Sequence, residues 1–87
     1  MKWPCVCCGC FTLPAPPGSG SAICPVCFWQ DDEVDNEGSD VLGPNKVTLE
    51  VARQNFRVLG AAEERVRPFV RGPEADELPP ISSTDAA

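Results

Sequence analysis

The residues with a claim to chemistry are six cysteines, four of them packed into WPCVCCGCF (3–11) and two into SAICPVCFW (21–29). Cys5 with Cys8, and Cys24 with Cys27, form two C-x2-C groups separated by fifteen residues, a spacing that suits a four-thiolate zinc site. Two intervening residues allow a tight turn that aims both sulfurs at one ion, while nearby backbone N–H groups stabilise the sulfur charge. Gly9 tolerates the positive φ such a turn often requires, and Pro25 stiffens the start of the second turn. Cys7 and Cys10 offer a second C-x2-C register, with thirteen residues before Cys24. The first register is preferred because it leaves the glycine outside the turn, directly after its second ligand. The expectation is one Zn2+ per chain, held by Cys5, Cys8, Cys24 and Cys27.

A shell of four thiolates leaves zinc no open position for water or substrate, so the site predicted is structural. The sequence has no histidine, hence no Ser-His or Cys-His pair, and no phosphate-cradling glycine loop. A non-enzymatic protein is expected. The same thiolate set also suits iron, so a rubredoxin-like electron carrier is the alternative, and visible colour would distinguish it. A thiol-disulfide enzyme is disfavoured, since no βαβ pattern surrounds the motif. Cys7 and Cys10 are then spare. They are either redox-active neighbours of the metal or small apolar fillers, with filler preferred for Cys10 and neither role preferred for Cys7.

Net charge is -6, which disfavours a general nucleic-acid binder. Residues 31–40 (DDEVDNEGSD) hold six acids and no base, whereas residues 44–72 hold six bases against three acids. The acidic run lacks a calcium-loop frame and reads as a solvated loop. Arg53 and Arg57 are expected to pair with it. An unknown protein partner is expected to contact the acidic loop first and the two arginines second; nucleic acid is the rival, and a monomer is assumed.

With 87 residues the chain is one small domain, of a size that commonly needs a metal staple. Residues 1–72 are assigned to the cysteine-rich zinc-binding domain and residues 73–87 to a disordered acidic tail. MKWPCVCCGC has no signal-peptide core, and no run reaches membrane-spanning length, so a reducing cytoplasm is expected.

The elements that must position the cysteines are short. CFTL and SAI read as two strands joined by the turn PAPPGSG, a hairpin between the cysteine groups. In VTLEVARQNFRVLG, Thr48 is a helix N-cap, Leu49, Ala52, Phe56 and Leu59 form one apolar stripe, and Gly60 closes the helix. AAEERVRPF predicts a second, shorter helix stopped before Pro68. Phe28 and Trp29 are expected to pack on the stripe. The fold class is a small α+β metal-stapled domain, a zinc ribbon or rubredoxin-like hairpin with C-terminal helices. The alternative is a treble clef with Cys27 at a helix start.

The run CVCCG, then ICPVCFWQDD, then GPNKVTLEVARQNFRVLGA resembles the cysteine-rich CPCC family of small bacterial proteins, from Cys5 to about Arg71. The resemblance implies a small metal-binding fold and no activity. Cys5, Cys7, Cys8, Cys24 and Cys27 match its cysteine positions, and Asp31, Asp32, Asn45, Arg53, Asn55 and Phe56 its other marked positions. Val6 replaces the usual proline. Cys10 stands where an aromatic is usual, which marks it as a non-ligand.

Overall fold

The computed structural model describes residues 2–40 and 43–79. Strands β1 (Trp3–Pro4) and β2 (Phe11–Leu13) pair antiparallel, with Trp3 opposite Leu13, Pro4 opposite Phe11 and an irregularity between them. They flank the first cysteine turn. The predicted strand at Phe11–Leu13 therefore pairs backwards, and the expected hairpin with SAI does not form. Ile23 instead makes an isolated antiparallel bridge to Gln30 across the second cysteine turn. The physical reason is local closure. Each C-x2-C turn reverses the chain itself, so the residues flanking it are the ones brought together to pair. The prolines of PAPPGSG also lack the N–H a ladder needs.

Helix α1 (Glu33–Asn36) starts at Asp32, whose carboxylate accepts the Asp35 N–H at 3.0 Å. Cys27 does not open a helix, as a treble clef would need. The acidic run is only in part a solvated loop: Asp31 and Asp35 are 3% and 2% exposed, whereas Glu33, Glu37 and Asp40 face solvent. Helix α2 (Leu49–Leu59) follows the sequence reading closely. Thr48 accepts the Val51 N–H, and Gly60, at φ 77°, ends the helix by donating to the Phe56 carbonyl. Leu49 and Ala52 are buried, but Phe56 and Leu59 are only half-buried.

The second predicted helix is a 3-10 helix, Glu64–Phe69, that runs through Pro68. An α-turn there would need a bond from the missing Pro68 N–H to Glu64. The tighter spacing instead uses Val66 to Glu63 and Val70 to Arg67. A further 3-10 turn, Ala75–Glu77, packs on β2. Glu77 is buried there, its carboxylate taking two bonds from Arg71 at 2.8 and 2.9 Å. The folded unit thus continues past the expected boundary at 72, because Glu77 is buried and pairs with the part-exposed Arg71. The rest of the expected tail, residues 80–87, lies outside the described residues.

The core gathers Leu13, Val26, Trp29, Leu49, Ala52 and Ala62 around the cysteines. Trp29 is its largest fully buried side chain. Phe28, expected to join it, is half-buried and stands tilted against the ring of the largely exposed Phe69, with centroids 5.6 Å apart. Its backbone is in the left-handed region, at φ 72°. Among the described residues no helix is long and apolar enough to cross a membrane.

Candidate metal centre

The two cysteine turns share one backbone geometry. In the first, Cys5 N–H bonds the Cys10 carbonyl at 2.9 Å and Gly9 N–H the Cys5 carbonyl at 2.8 Å. In the second, Cys24 N–H bonds the Trp29 carbonyl at 3.0 Å and Phe28 N–H the Cys24 carbonyl at 2.7 Å. Residues 5, 8, 9 and 10 thereby correspond to 24, 27, 28 and 29. Gly9 and Phe28 both sit at positive φ, 80° and 72°. The amide after each of these residues points back at the second sulfur: Cys10 N–H to Cys8 Sγ at 3.5 Å and Trp29 N–H to Cys27 Sγ at 3.4 Å.

Facing each other, the turns bring the Sγ atoms of Cys5, Cys8, Cys24 and Cys27 within 4.8 Å of one another. Cys5 and Cys27 are 3.6 Å apart, Cys8 and Cys24 3.7 Å. These are not disulfides, whose sulfurs lie about 2.05 Å apart. Sulfurs placed 2.3 Å from a central zinc form a tetrahedron with edges of about 3.8 Å. The four cysteines are thus arranged to bind a metal ion. Cys24 has additional donors: the Thr12 hydroxyl at 3.0 Å and the Val26 N–H at 3.4 Å.

The electrostatics of the cluster point the same way. Hydrogen bonds from Cys27, then Cys5 and Cys8, with a smaller share from Thr12, hold the Cys24 thiol far below its ordinary range. Once Cys24 is charged, it pushes Cys8 and Cys27 up more than any other neighbour does. Four sulfurs this close cannot all ionise side by side in low dielectric without a cation among them. A divalent ion removes that conflict.

Cys7 and Cys10 are outside the cluster, so the alternative register is not the one assembled. Both are buried. The Cys10 side chain interacts with Cys8, and burial is the main influence raising its thiol. Cys7 lies against Cys27.

Arg53 does not pair with the acidic segment. Its Nε donates to the Val6 carbonyl at 2.9 Å, tying α2 to the first turn. Among the described residues, ion pairs form between Arg65 and Glu63, Arg67 and Glu64, and Arg71 and Glu77, all within the C-terminal half. The acids of the second turn's flank are structural instead. Trp29 Nε1 donates to Asn36 at 2.8 Å, Asn36 to Asp31 at 2.6 Å, and both Asp31 oxygens accept the Gly18 N–H. Asn45 clasps Gln30 through both backbone groups at 2.9 Å and donates twice to Asp35. Burial alone raises the Asp35 carboxyl, but the bonds from Asn45 and the Gly43 N–H outweigh it, and the net shift is downward.

Sequence reasoning missed Thr12 as a sulfur partner. The available signal was a lone hydroxyl residue between apolar ones in CFTL, directly after the cysteine turn. It also missed the support given by Asp31, Asn36 and Asn45.

The family model described as cysteine-rich CPCC matches residues 3–77, and so takes in both cysteine turns, α2 and the 3-10 turn that carries Glu77. No curated protein matches the chain.

Proposed function

The chain belongs to the cysteine-rich CPCC family, and from that membership and its sulfur cluster we infer a zinc-stabilised structural domain that binds another protein and catalyses nothing. The observation that carries this reading is the set of four sulfurs within 4.8 Å of one another, two of whose edges are 3.6 and 3.7 Å. Zinc with four thiolates is coordinatively complete and structural. Two matching turns that face each other across the cluster favour a zinc-ribbon or rubredoxin-like arrangement. A small folded unit of this size gains folding free energy directly from the ion.

Elemental analysis with native mass tests the reading. One zinc per monomer, in colourless protein, is the expected result. Stoichiometric iron with visible absorption would overturn it in favour of an electron carrier.

The partner is a basic protein surface, met by Glu33, Glu37 and Asp40, which are exposed; Asp31 is buried and takes no part. Charge of one sign on a small face steers encounter with its complement. Fluorescence titration against mixed oligonucleotides at low salt checks the rival. No binding is expected, and tight, salt-sensitive binding lost on changing exposed Arg57 to Ala would reverse the choice. A cytoplasmic location fits six unpaired thiols, because a reducing compartment keeps them so.

A further inference from the structure

We propose that Cys8 and Cys10 form a peroxide-sensitive dithiol, in which oxidation of Cys8 is resolved by Cys10 into a disulfide that withdraws one sulfur from the metal site. The inference rests on the metal-site reading above, and adds to it a modification site.

Three observations meet at this pair. First, the four clustered cysteines are not equally shielded. Cys5, Cys24 and Cys27 are 2%, 0% and 0% exposed, whereas Cys8 is only partly buried. A small oxidant therefore reaches Cys8 before the others. Second, Cys10 is the cysteine next along the chain from Cys8, and its backbone N–H bonds Cys8 Sγ at 3.5 Å. Gly9 between them, at φ 80°, turns the chain sharply at this point. Third, Cys10 carries no ligand duty. The matching place in the second turn is filled by Trp29, which packs without any thiol.

The rival pairs are less well placed. Cys7 lies against Cys27, which no solvent reaches. Cys24 is 3.7 Å from Cys8, but its sulfur is engaged by Thr12, Val26 and the shared ion site.

The chemistry balances with hydrogen peroxide as the named oxidant. The Cys8 sulfur attacks one peroxide oxygen, the O–O bond breaks, and with one proton taken up the products are Cys8 sulfenic acid and water. The Cys10 thiol then attacks the Cys8 sulfur, an S–S bond forms, the S–OH bond breaks, and a second water leaves with the thiol proton. Two electrons pass from the sulfur pair to peroxide, and three metal-binding sulfurs remain.

The test uses the full chain. Metal content is measured first, which checks the zinc reading by itself. Limiting hydrogen peroxide is then added with a chromogenic zinc chelator present, and the products are mapped by mass spectrometry after alkylation of free thiols. The expected result is a Cys8–Cys10 disulfide, a mass loss of about 2 Da, and zinc release that tracks its formation. Cys10→Ser should hold the same zinc before oxidation, release it several-fold more slowly, and accumulate sulfenic acid at Cys8 that a dimedone probe traps. Cys7→Ser should behave as the unchanged protein. A main disulfide between any other pair, first oxidation at another cysteine, or equal release from Cys10→Ser would each overturn the proposal. In a metal-free preparation the disulfide map still decides it.

Discussion

Replacing Thr12 by Val tests how far the metal centre depends on its outer hydrogen bonds. Thr12 is 5% exposed, and its hydroxyl donates to Cys24 Sγ at 3.0 Å. Valine keeps the shape and removes the donor, so no cavity opens. A hydrogen bond to a charged group contributes about 1.5–3 kcal/mol. Independently, loss of a partner to a metal ligand typically weakens metal affinity about 10–100-fold, equivalent to about 1.4–2.8 kcal/mol. The two routes agree, and Thr12→Val should therefore bind zinc about 10–100-fold more weakly. Competition against a chelator of known affinity reads this directly. Since ion binding is folding free energy, the Tm of the loaded protein should fall while that of the metal-free chain changes little. Thr12→Ser keeps the hydroxyl and should retain most of the affinity. The reasoning fails if Thr12→Val stays within about twofold of the unchanged protein, a difference of only about 0.4 kcal/mol, or if the serine variant falls as far as the valine one.

Cys24→Ser should lose the ion and unfold at a much lower temperature, while Cys7→Ser should keep both ion and Tm; metal content and calorimetry distinguish them. Asn45→Ala should cost about 2–4 kcal/mol in a denaturant titration, because buried Gln30 and Asp35 groups lose their partners. Glu77 is held at about 2, first by the Arg71 guanidinium and then by the Glu74 N–H, against an ordinary 4.5. A depressed folded value means its contribution to stability is complete above pH 4.5 and is lost as pH falls through about 2. A carboxyl chemical-shift titration should show the low midpoint, and Arg71→Met should move it upward.

What could be read from the chain and what could not divides along physical lines. Helix α2 was legible because its signals are local: a Thr48 cap, apolar residues at three- and four-residue steps, and a closing Gly60. The grouping of Cys5, Cys8, Cys24 and Cys27 was legible because C-x2-C spacing is itself a geometric constraint. Strand partners were not, since elements of two and three residues carry no usable period. Burial of the acids was hidden for another reason. An Asp whose oxygens accept backbone N–H groups looks, in composition, the same as one facing water. The pattern Asp32-x-x-Asp35 before an element was the available hint, an N-cap with an acid in the first turn. Arg71 and Glu77 were separated by an assumed tail boundary, and Pro and acid content gave no sign of the 3-10 turn that joins them.

The twin turns are also unequally supported by the rest of the chain. The second turn accepts Phe28 at φ 72° where the first has Gly9, a backbone cost of about 1–2 kcal/mol for a residue with a Cβ. That cost is offset where its neighbour enters the core: Trp29 is fully buried, and its ring N–H begins the chain through Asn36 and Asp31 to Gly18. Asn45 fixes Gln30 just beyond, and Ala62 N–H and Arg71 N–H bond the carbonyls of Cys27 and Pro25. The second turn is thus held by four separate parts of the chain. Across the first turn, the support is the β1–β2 pairing of its own flanks, the 75–77 turn packed on β2 and the exposed bond from Arg53 to Val6. Its second sulfur, on Cys8, is the partly open one. When the ion is lost, the first turn should therefore loosen while the second stays folded, and amide exchange in metal-free protein should be fast at Cys5 and Gly9 and slow at Cys24 and Phe28. Equal exchange in the two turns would mean that the ion alone, and not this unequal scaffolding, holds both of them.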